Sequence, residues 1–418
     1  MLAFYKKKTV EVCMKTEELV NKETCCGCSL CLDSCPAKAI RMVEGALGVR
    51  YPEIDESKCV NCHLCEKKCP VNQDLKSPTI QVCAAVNTDR EMLMRSASGG
   101  VFSALAVDIL RQAGVVYGAA ILPDEQDILK VKHIRVDAAD ELHLLQGSKY
   151  LQSDMTGIYA QIKKDVKEKR LVLFSGTPCQ VAAVKSFCGT PDNLLLVEII
   201  CHGTPSQKLF SDYLRIQQKK KPSETITGFR FRTKESGWGL CASLLRKDKK
   251  GREKSTRIPC QVSSYYSMFL HCEIYRDSCY RCKYAAGERV GDLTIGDYWG
   301  VQKDNDVYSQ LMSDGVEITD GVSCVVASSQ KGIDYLEKAG LKLVVSTFDS
   351  ISKENGQLLH PSPCPSTRGE IVKTYEQAGY AGLEKQFNKT LGVKKYVILC
   401  RNRIPPKTRM RIRMLLRK

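Results

Sequence analysis

The sequence predicts a chain of mixed class, α+β at its N-terminus and α/β beyond it, and three observations carry that prediction. Cysteines recur at fixed intervals in two runs before residue 78, too densely for an ordinary apolar core. An apolar strand at 171–175, a helix to about residue 187 and a second apolar strand at 194–200 form a strand–helix–strand crossover, the unit of a parallel sheet. Between 227 and 259 the pattern turns to short hairpin-like strands at 228–232 and 240–245, so the body has a β-rich part. With 418 residues and 43% hydrophobic content, the chain divides into a cysteine-rich lobe at 1–78, a body at 79–345 and a C-terminal helical region with a basic tail at 346–418.

The N-terminal runs read C-x2-C-x2-C-x3-C-P, at Cys25, Cys28, Cys31, Cys35 and Pro36 and again at Cys59, Cys62, Cys65, Cys69 and Pro70. This is the ligand spacing of bacterial dicluster ferredoxins, in which the fourth cysteine of each run serves the other cluster. One [4Fe-4S] cluster is therefore expected on Cys25, Cys28, Cys31 and Cys69, and a second on Cys59, Cys62, Cys65 and Cys35. Zinc favours two separated pairs and has no use for four consecutive cysteines closed by C-P. Disulfides belong to oxidising compartments, and the opening Met-Leu-Ala-Phe-Tyr-Lys-Lys-Lys lacks a secretory apolar region, so a cytoplasmic chain with reduced thiols is expected. Cys26 is out of step with the spacing and reads as a bystander.

The two runs account for eight of 22 cysteines, which leaves fourteen and suggests more metal chemistry. The net charge of +16 invites a nucleic-acid reading, but half of it sits on residues 401–418, which contain no acid. The lobe has twelve basic residues against eleven acidic ones, and its clusters would add negative charge. No nucleic-acid partner is expected. The tail is either solvated or adheres to an acidic partner or a peripheral membrane surface. No apolar stretch spans a bilayer, since the longest, 194–200, is short and interrupted by Glu198.

Past a linker at 71–78, a strand at 79–86 opens the body. Val101, Leu105 and Ile109 then follow helical spacing, so Ser98-Gly99-Gly100 stands at a helix start whose free N–H groups suit a phosphate. Serine caps and glycines also open many helices that bind nothing. Further on come a strand at 114–121, a hairpin arm at 131–136 and a helix at about 155–169. The crossover strands end in comparable loops, Gly176-Thr177-Pro178-Cys179-Gln180 and Cys201-His202-Gly203-Thr204-Pro205, and ligands collect at the carboxyl ends of parallel strands. Cys179 and Cys201 should thus share one rim. With the pair Cys279 and Cys282 they would complete a third four-cysteine site; alternatively, Cys179 and Cys201 are buried small residues and the pair binds zinc or cycles redox state. His63, His133, His143 and His271 show no ligand spacing and read as solvated or structural. His360-Pro361-Ser362-Pro363-Cys364-Pro365 marks a boundary before a helical region at 369–391.

Taken in order, Ser98 to Leu105, Gly147-Ser148-Lys149-Tyr150, Gly176 to Gln180, Cys201 to Ser206, Cys279-x2-Cys282 and Gly291-Asp292 through Trp299-Gly300 resemble the beta subunit family of coenzyme F-420 hydrogenases and dehydrogenases, FrhB/FdhB. The resemblance covers roughly residues 80–345. It implies a flavin-binding α/β domain, with FAD and a four-iron cluster beside it. Ser98, Gly99 and Gly100 would meet the FAD phosphates; Gly147, Ser148, Lys149, Tyr150, Ser175, Gly176 and Thr177 would line the flavin. Cys179, Cys201, Cys279 and Cys282 become the third cluster's ligands.

The expected function is that of an iron–sulfur flavoprotein oxidoreductase. Clusters carry single electrons, and a flavin joins them to a two-electron acceptor such as a deazaflavin or another small planar substrate. An external protein would donate or accept the electrons. Arg230, Arg232, Lys234 and Trp238 are pocket candidates for an anionic planar substrate, or they form an ordinary exposed hairpin. The alternative is an electron-transfer subunit without its own substrate that docks on a partner enzyme, in a setting such as bacterial polysaccharide biosynthesis.

Overall fold

The computed structural model describes residue 19, residues 21–235 and residues 237–403, of which 401–403 are described in their backbone only. The basic stretch 404–418, to which the tail readings apply, and the opening residues lie outside the described residues.

The cysteine-rich lobe is built twice over from the same local geometry. In each run a short helix follows the third cysteine's approach, Leu30–Ser34 in the first and Leu64–Lys68 in the second. Each helix is entered through left-handed residues, Gly27 and Ser29 in the first run and Asn61 and His63 in the second, with φ between 54° and 64°. Three of these four are not glycine, and left-handed backbone costs such residues roughly 1–2 kcal/mol each. The loop curls around a central point, and turning that sharply requires these conformations. Strands β1 (Ile40–Glu44) and β2 (Arg50–Ile54) pair antiparallel between the runs.

The body centres on an eight-stranded mixed sheet, in the order β13-β3-β12-β11-β7-β6-β4-β5. The strands are β3 (Gln81–Asn87), β4 (Val115–Asp124), β5 (Ile128–Val136), β6 (Val172–Gly176), β7 (Leu194–Ile199), β11 (Leu293–Asp297), β12 (Ser323–Ala327) and β13 (Leu341–Val345). The four central strands β4, β6, β7 and β11 run parallel, and the outer neighbours pair antiparallel. β6, helix Pro178–Cys188 and β7 form the anticipated crossover. Helices pack on both faces, as a sheet with buried apolar strands on both sides requires. Helices Val101–Arg111 and Gln330–Lys338 cover one face, and Ile158–Lys167 and Pro178–Cys188 the other.

The β-rich part is an antiparallel three-stranded sheet, β10-β9-β8, of β8 (Glu224–Arg230), β9 (Cys241–Asp248) and β10 (Glu253–Pro259). An aromatic core joins it to helix Gln207–Lys220 and helix Ser264–Leu270, with Phe210, Tyr213, Phe229, Phe231, Tyr265 and Tyr266 buried. Ile371, Tyr380 and Leu383 of helix Arg368–Leu391 enter the same core. The C-terminal helical region therefore packs as part of the body's core.

Candidate functional site

The lobe packs along helices Ile158–Lys167 and Pro178–Cys188, and its Cys25–Gly27 loop meets Gln152 and Arg276 of the body. Thr177 caps helix Pro178–Cys188 in a capping box with Gln180, and Pro178 fills the first helical position, where no N–H is needed. Cys179 thus stands in the first turn, its Sγ 3.2 Å from Thr177 Oγ1. After β7 the chain reaches Cys201, and Gly203 follows with φ 139°. A side chain there would meet the Tyr275 ring at 2.3 Å, so this loop can lie flat only with glycine. Cys279 sits in the short 3-10 turn Asp277–Arg281, and Cys282 ends it.

The structure brings these four cysteines together: Cys201 feels the charges of Cys279, Cys179 and Cys282. Burial pushes the Cys282 thiol up to about 12 and raises the Cys279 thiol as well. Cys26, which the spacing set aside, lies within interaction range of the Cys179 and Cys28 thiols, and Cys28 and burial help hold its own thiol well above the usual range. In the lobe, Cys25, Cys28, Cys31 and Cys69 line one small cavity, while Cys35, Cys59, Cys62 and Cys65 line another. Among the described residues no group of three or more His, Cys, Asp or Glu side chains closes tightly enough to hold a single metal ion. The two lobe sets each line a cavity instead.

The two lobe sets face different ways. The first is pressed onto the body: Tyr159 donates to Cys28 O at 2.7 Å, and Tyr284, two residues past Cys282, donates to Pro70 O at 3.0 Å. The second points outward, with Cys62, Val60 and Leu64 exposed.

Behind the third set lies a cavity of about 380 Å³, lined by Ser98, Gly100, Gly147, Ser148, Lys149, Tyr150, Ser175, Gly176 and Thr177. Of the anticipated cofactor residues, Gly99 alone is missing from the lining. Its N–H donates to Ser323 Oγ at 2.9 Å, and a Cβ would meet Ala85 O at 2.2 Å. This corrects the expectation of a free N–H at Gly99: the glycine is needed for close packing of the helix start against β3 and β12. His202, next to Cys201, lines the same cavity. The loops that carry Cys179 and Cys201 thus each show a cysteine to the lobe and a neighbour to the cavity.

A second cavity of about 1000 Å³ adjoins the first, sharing Ser96, Ala97, Gly147, Ser148, Lys149 and Arg232, and adds Arg95, Arg230 and Lys234. Arg232 is buried, paired with Asp297 at 2.5 Å, and donates to Gly239 O, yet its Nη2 has no partner. A buried donor left unmade is costly, and the Asp297 carboxylate beside it offsets part of that cost. Trp238 does not face either cavity; it stacks on Trp299 at 4.8 Å and donates to Asp297 at 2.6 Å, which backs Arg232. Lys149 Nζ donates to the carbonyls of Leu145 and Gln146, and burial lowers its pKa to about 7.

His133 underlies the cavity floor, stacked on Phe174 and bonded to Ser153 Oγ and Ser175 O. Burial lowers its pKa to about 4 from 6.5. The native imidazole is therefore neutral where the unfolded one titrates. Above pH 6.5 this costs nothing; as pH falls toward 4 the unfolded state takes up a proton that the native state refuses. Stability attributable to His133 should drop by about 2 kcal/mol between pH 7 and pH 5, and denaturant titrations should show His133→Gln lacking that part of the slope.

The paired cysteine runs and the parallel-strand rim define an iron–sulfur electron-transfer protein, and comparison with known families agrees. The model for 4Fe-4S dicluster domains matches residues 24–73. Those for the coenzyme F420 hydrogenase/dehydrogenase beta subunit match residues 82–159 with its N-terminal part and 169–351 with its C-terminal part. The chain belongs to that oxidoreductase subunit family. Among solved structures it is similar to a chain of the F420-reducing [NiFe] hydrogenase complex from Methanosarcina barkeri, studied with xenon derivatization, at 15% identity and a TM-score of 0.40, covering 77% of this chain and 96% of that one. No curated protein matches the chain. No described helix is long and apolar enough to cross a membrane.

Proposed function

We propose that the chain is an iron–sulfur flavoprotein oxidoreductase holding three [4Fe-4S] clusters and one FAD. Cys35, Cys59, Cys62 and Cys65 would hold the outer cluster, Cys25, Cys28, Cys31 and Cys69 the inner one, and Cys179, Cys201, Cys279 and Cys282 the third. The observation that carries this reading is the shared rim, where loops with Cys179 and Cys201 also contribute Thr177 and His202 to the 380 Å³ cavity. The sets succeed one another from the exposed surface to that cavity, an order suited to carrying single electrons inward or outward.

Ser98, Gly100, Gly147, Ser148, Tyr150, Ser175, Gly176 and Thr177 would hold the flavin. A flavin there supplies exchange between single electrons and the electron pair of a substrate. Lys149, between the two cavities, can release and regain a proton at Nζ near neutral pH. Around the larger cavity Arg95, Lys149, Arg230, Arg232 and Lys234 outnumber Asp140 and Glu235, a balance that suits the anionic part of a small planar substrate, a deazaflavin or another. The outer set, with exposed Val60 and Leu64 beside Cys62, is where a donor or acceptor protein would dock. Electron transfer without own substrate remains the second reading, favoured by that exposed end.

Anaerobic turnover separates the two readings. Steady reduction of a deazaflavin or another small acceptor by a one-electron dye and the purified chain is expected; activity that arises only with a partner enzyme would support the second reading and overturn the first.

A further inference from the structure

Arg276 lies between the inner cysteine set of the lobe and the third set, and it is 1% exposed. Its Nη1 donates to Cys25 O at 2.8 Å, Nη2 to Arg50 O, and Nε to Gln152 Oε1 at 3.3 Å. The guanidinium lies over the Tyr51 ring, 4.7 Å from its centroid. On the other side, the Arg276 backbone N–H donates to Thr204 O, and its own carbonyl accepts from Cys279 N, both at 3.0 Å. Gly27 makes room for it, since a Cβ there would stand 2.2 Å from Nη2. One side chain thus reaches the loop of Cys25 while its backbone fixes the loop of Cys279.

The charge is the informative part. Among the described residues the guanidinium forms no ion pair with a carboxylate; the adjacent Asp277 is taken by Arg368. All its bonds go to neutral oxygens. A buried cation without a counter-charge is strongly unfavourable, so the site is built for anions that lie close by. The charge of Arg276 reaches the thiols of Cys179 and Cys279, and its Nη1 holds the peptide carbonyl of Cys25. A four-iron cluster with four thiolates is an anion whose negative charge grows on reduction, and its potential follows local charge and burial.

We propose that Arg276 is the shared counter-cation of the inner lobe cluster and the third cluster, favouring the reduced form of both and holding their potentials close together. It is a positioning and tuning residue, and the inference rests on the three-cluster reading above. The outer set, on the far side of the lobe, lies beyond its contacts.

The test is an anaerobic redox titration of the full chain followed by electron paramagnetic resonance, with iron counted in each sample. Arg276→Gln should keep about twelve irons and shift two of three cluster signals to more negative potential, leaving the third unmoved. Arg276→Lys, which keeps the charge, should stay nearer the parent protein. All three potentials unmoved at full iron content would overturn the proposal, as would a uniform shift of all three. If Arg276→Gln loses iron, Arg276→Lys decides: retained iron and potentials near the parent support the counter-cation, and the same iron loss makes the residue merely structural. Two clusters in the parent chain would instead overturn the three-cluster reading, and this proposal with it.

Discussion

Replacing Glu198 by alanine should lower stability by about 3–5 kcal/mol, read as a fall in denaturant midpoint. Glu198 is 0% exposed, next to last in an otherwise apolar β7, and Arg289 is 1% exposed. The carboxylate takes Arg289 Nε at 2.6 Å, Thr294 Oγ1 at 2.8 Å and the backbone N–H groups of Val290 and Gly291. Arg289 in turn donates to the carbonyls of Tyr284 and Ala286. Removing the acid leaves a buried guanidinium and two backbone donors unpaired. Removing both charges, as Glu198→Gln with Arg289→Met, should cost less than the sum of the single replacements, and a double-mutant cycle measures the difference. The pair also ties the segment after Cys282 to β7. Glu198→Ala should therefore loosen the third cysteine set before the lobe sets, seen as early loss of about four of twelve irons under mild denaturant.

The second large effect is expected at Cys201. Serine there removes one of four thiolates from a buried site and should reduce iron from about twelve to about eight per chain, with the lobe's clusters kept. Cys83 is buried in β3, outside the three cysteine sets and next to β12 with Cys324, and burial raises its thiol to about 12. Cys83→Ala should leave iron unchanged. Equal iron loss in both variants would point to general misfolding, and no loss in either would remove Cys201 from the ligand set.

Much of this site could be read from local pattern. The cysteine runs are contiguous, the β6–helix–β7 crossover shows as two apolar runs about a helix, and the loops after both strands end at one rim because parallel strands must. Separation in sequence hid the rest. Glu198 read as an interruption of an apolar strand because Arg289 is 91 residues away. Arg276 had no signal at all, since its meaning lies in Cys25 and Arg50, more than 220 residues upstream. Cys26 looked idle because the spacing rule describes only its own loop, whereas its neighbour is Cys179. Gly99 was assigned to a ligand when its N–H serves β12, a strand that comes 224 residues later, and its missing side chain makes room for β3 and β12. Helix-start glycines look alike in sequence whether they face a phosphate or a neighbouring strand.

The central claim, that two lobe clusters connect to a third beside a flavin, is tested most directly by counting. Anaerobic purification with iron, sulfide and flavin quantification should give about twelve irons, about twelve sulfides and one flavin per chain. About eight irons with no flavin would contradict the account, leaving a dicluster lobe fused to a body whose cavity serves another purpose.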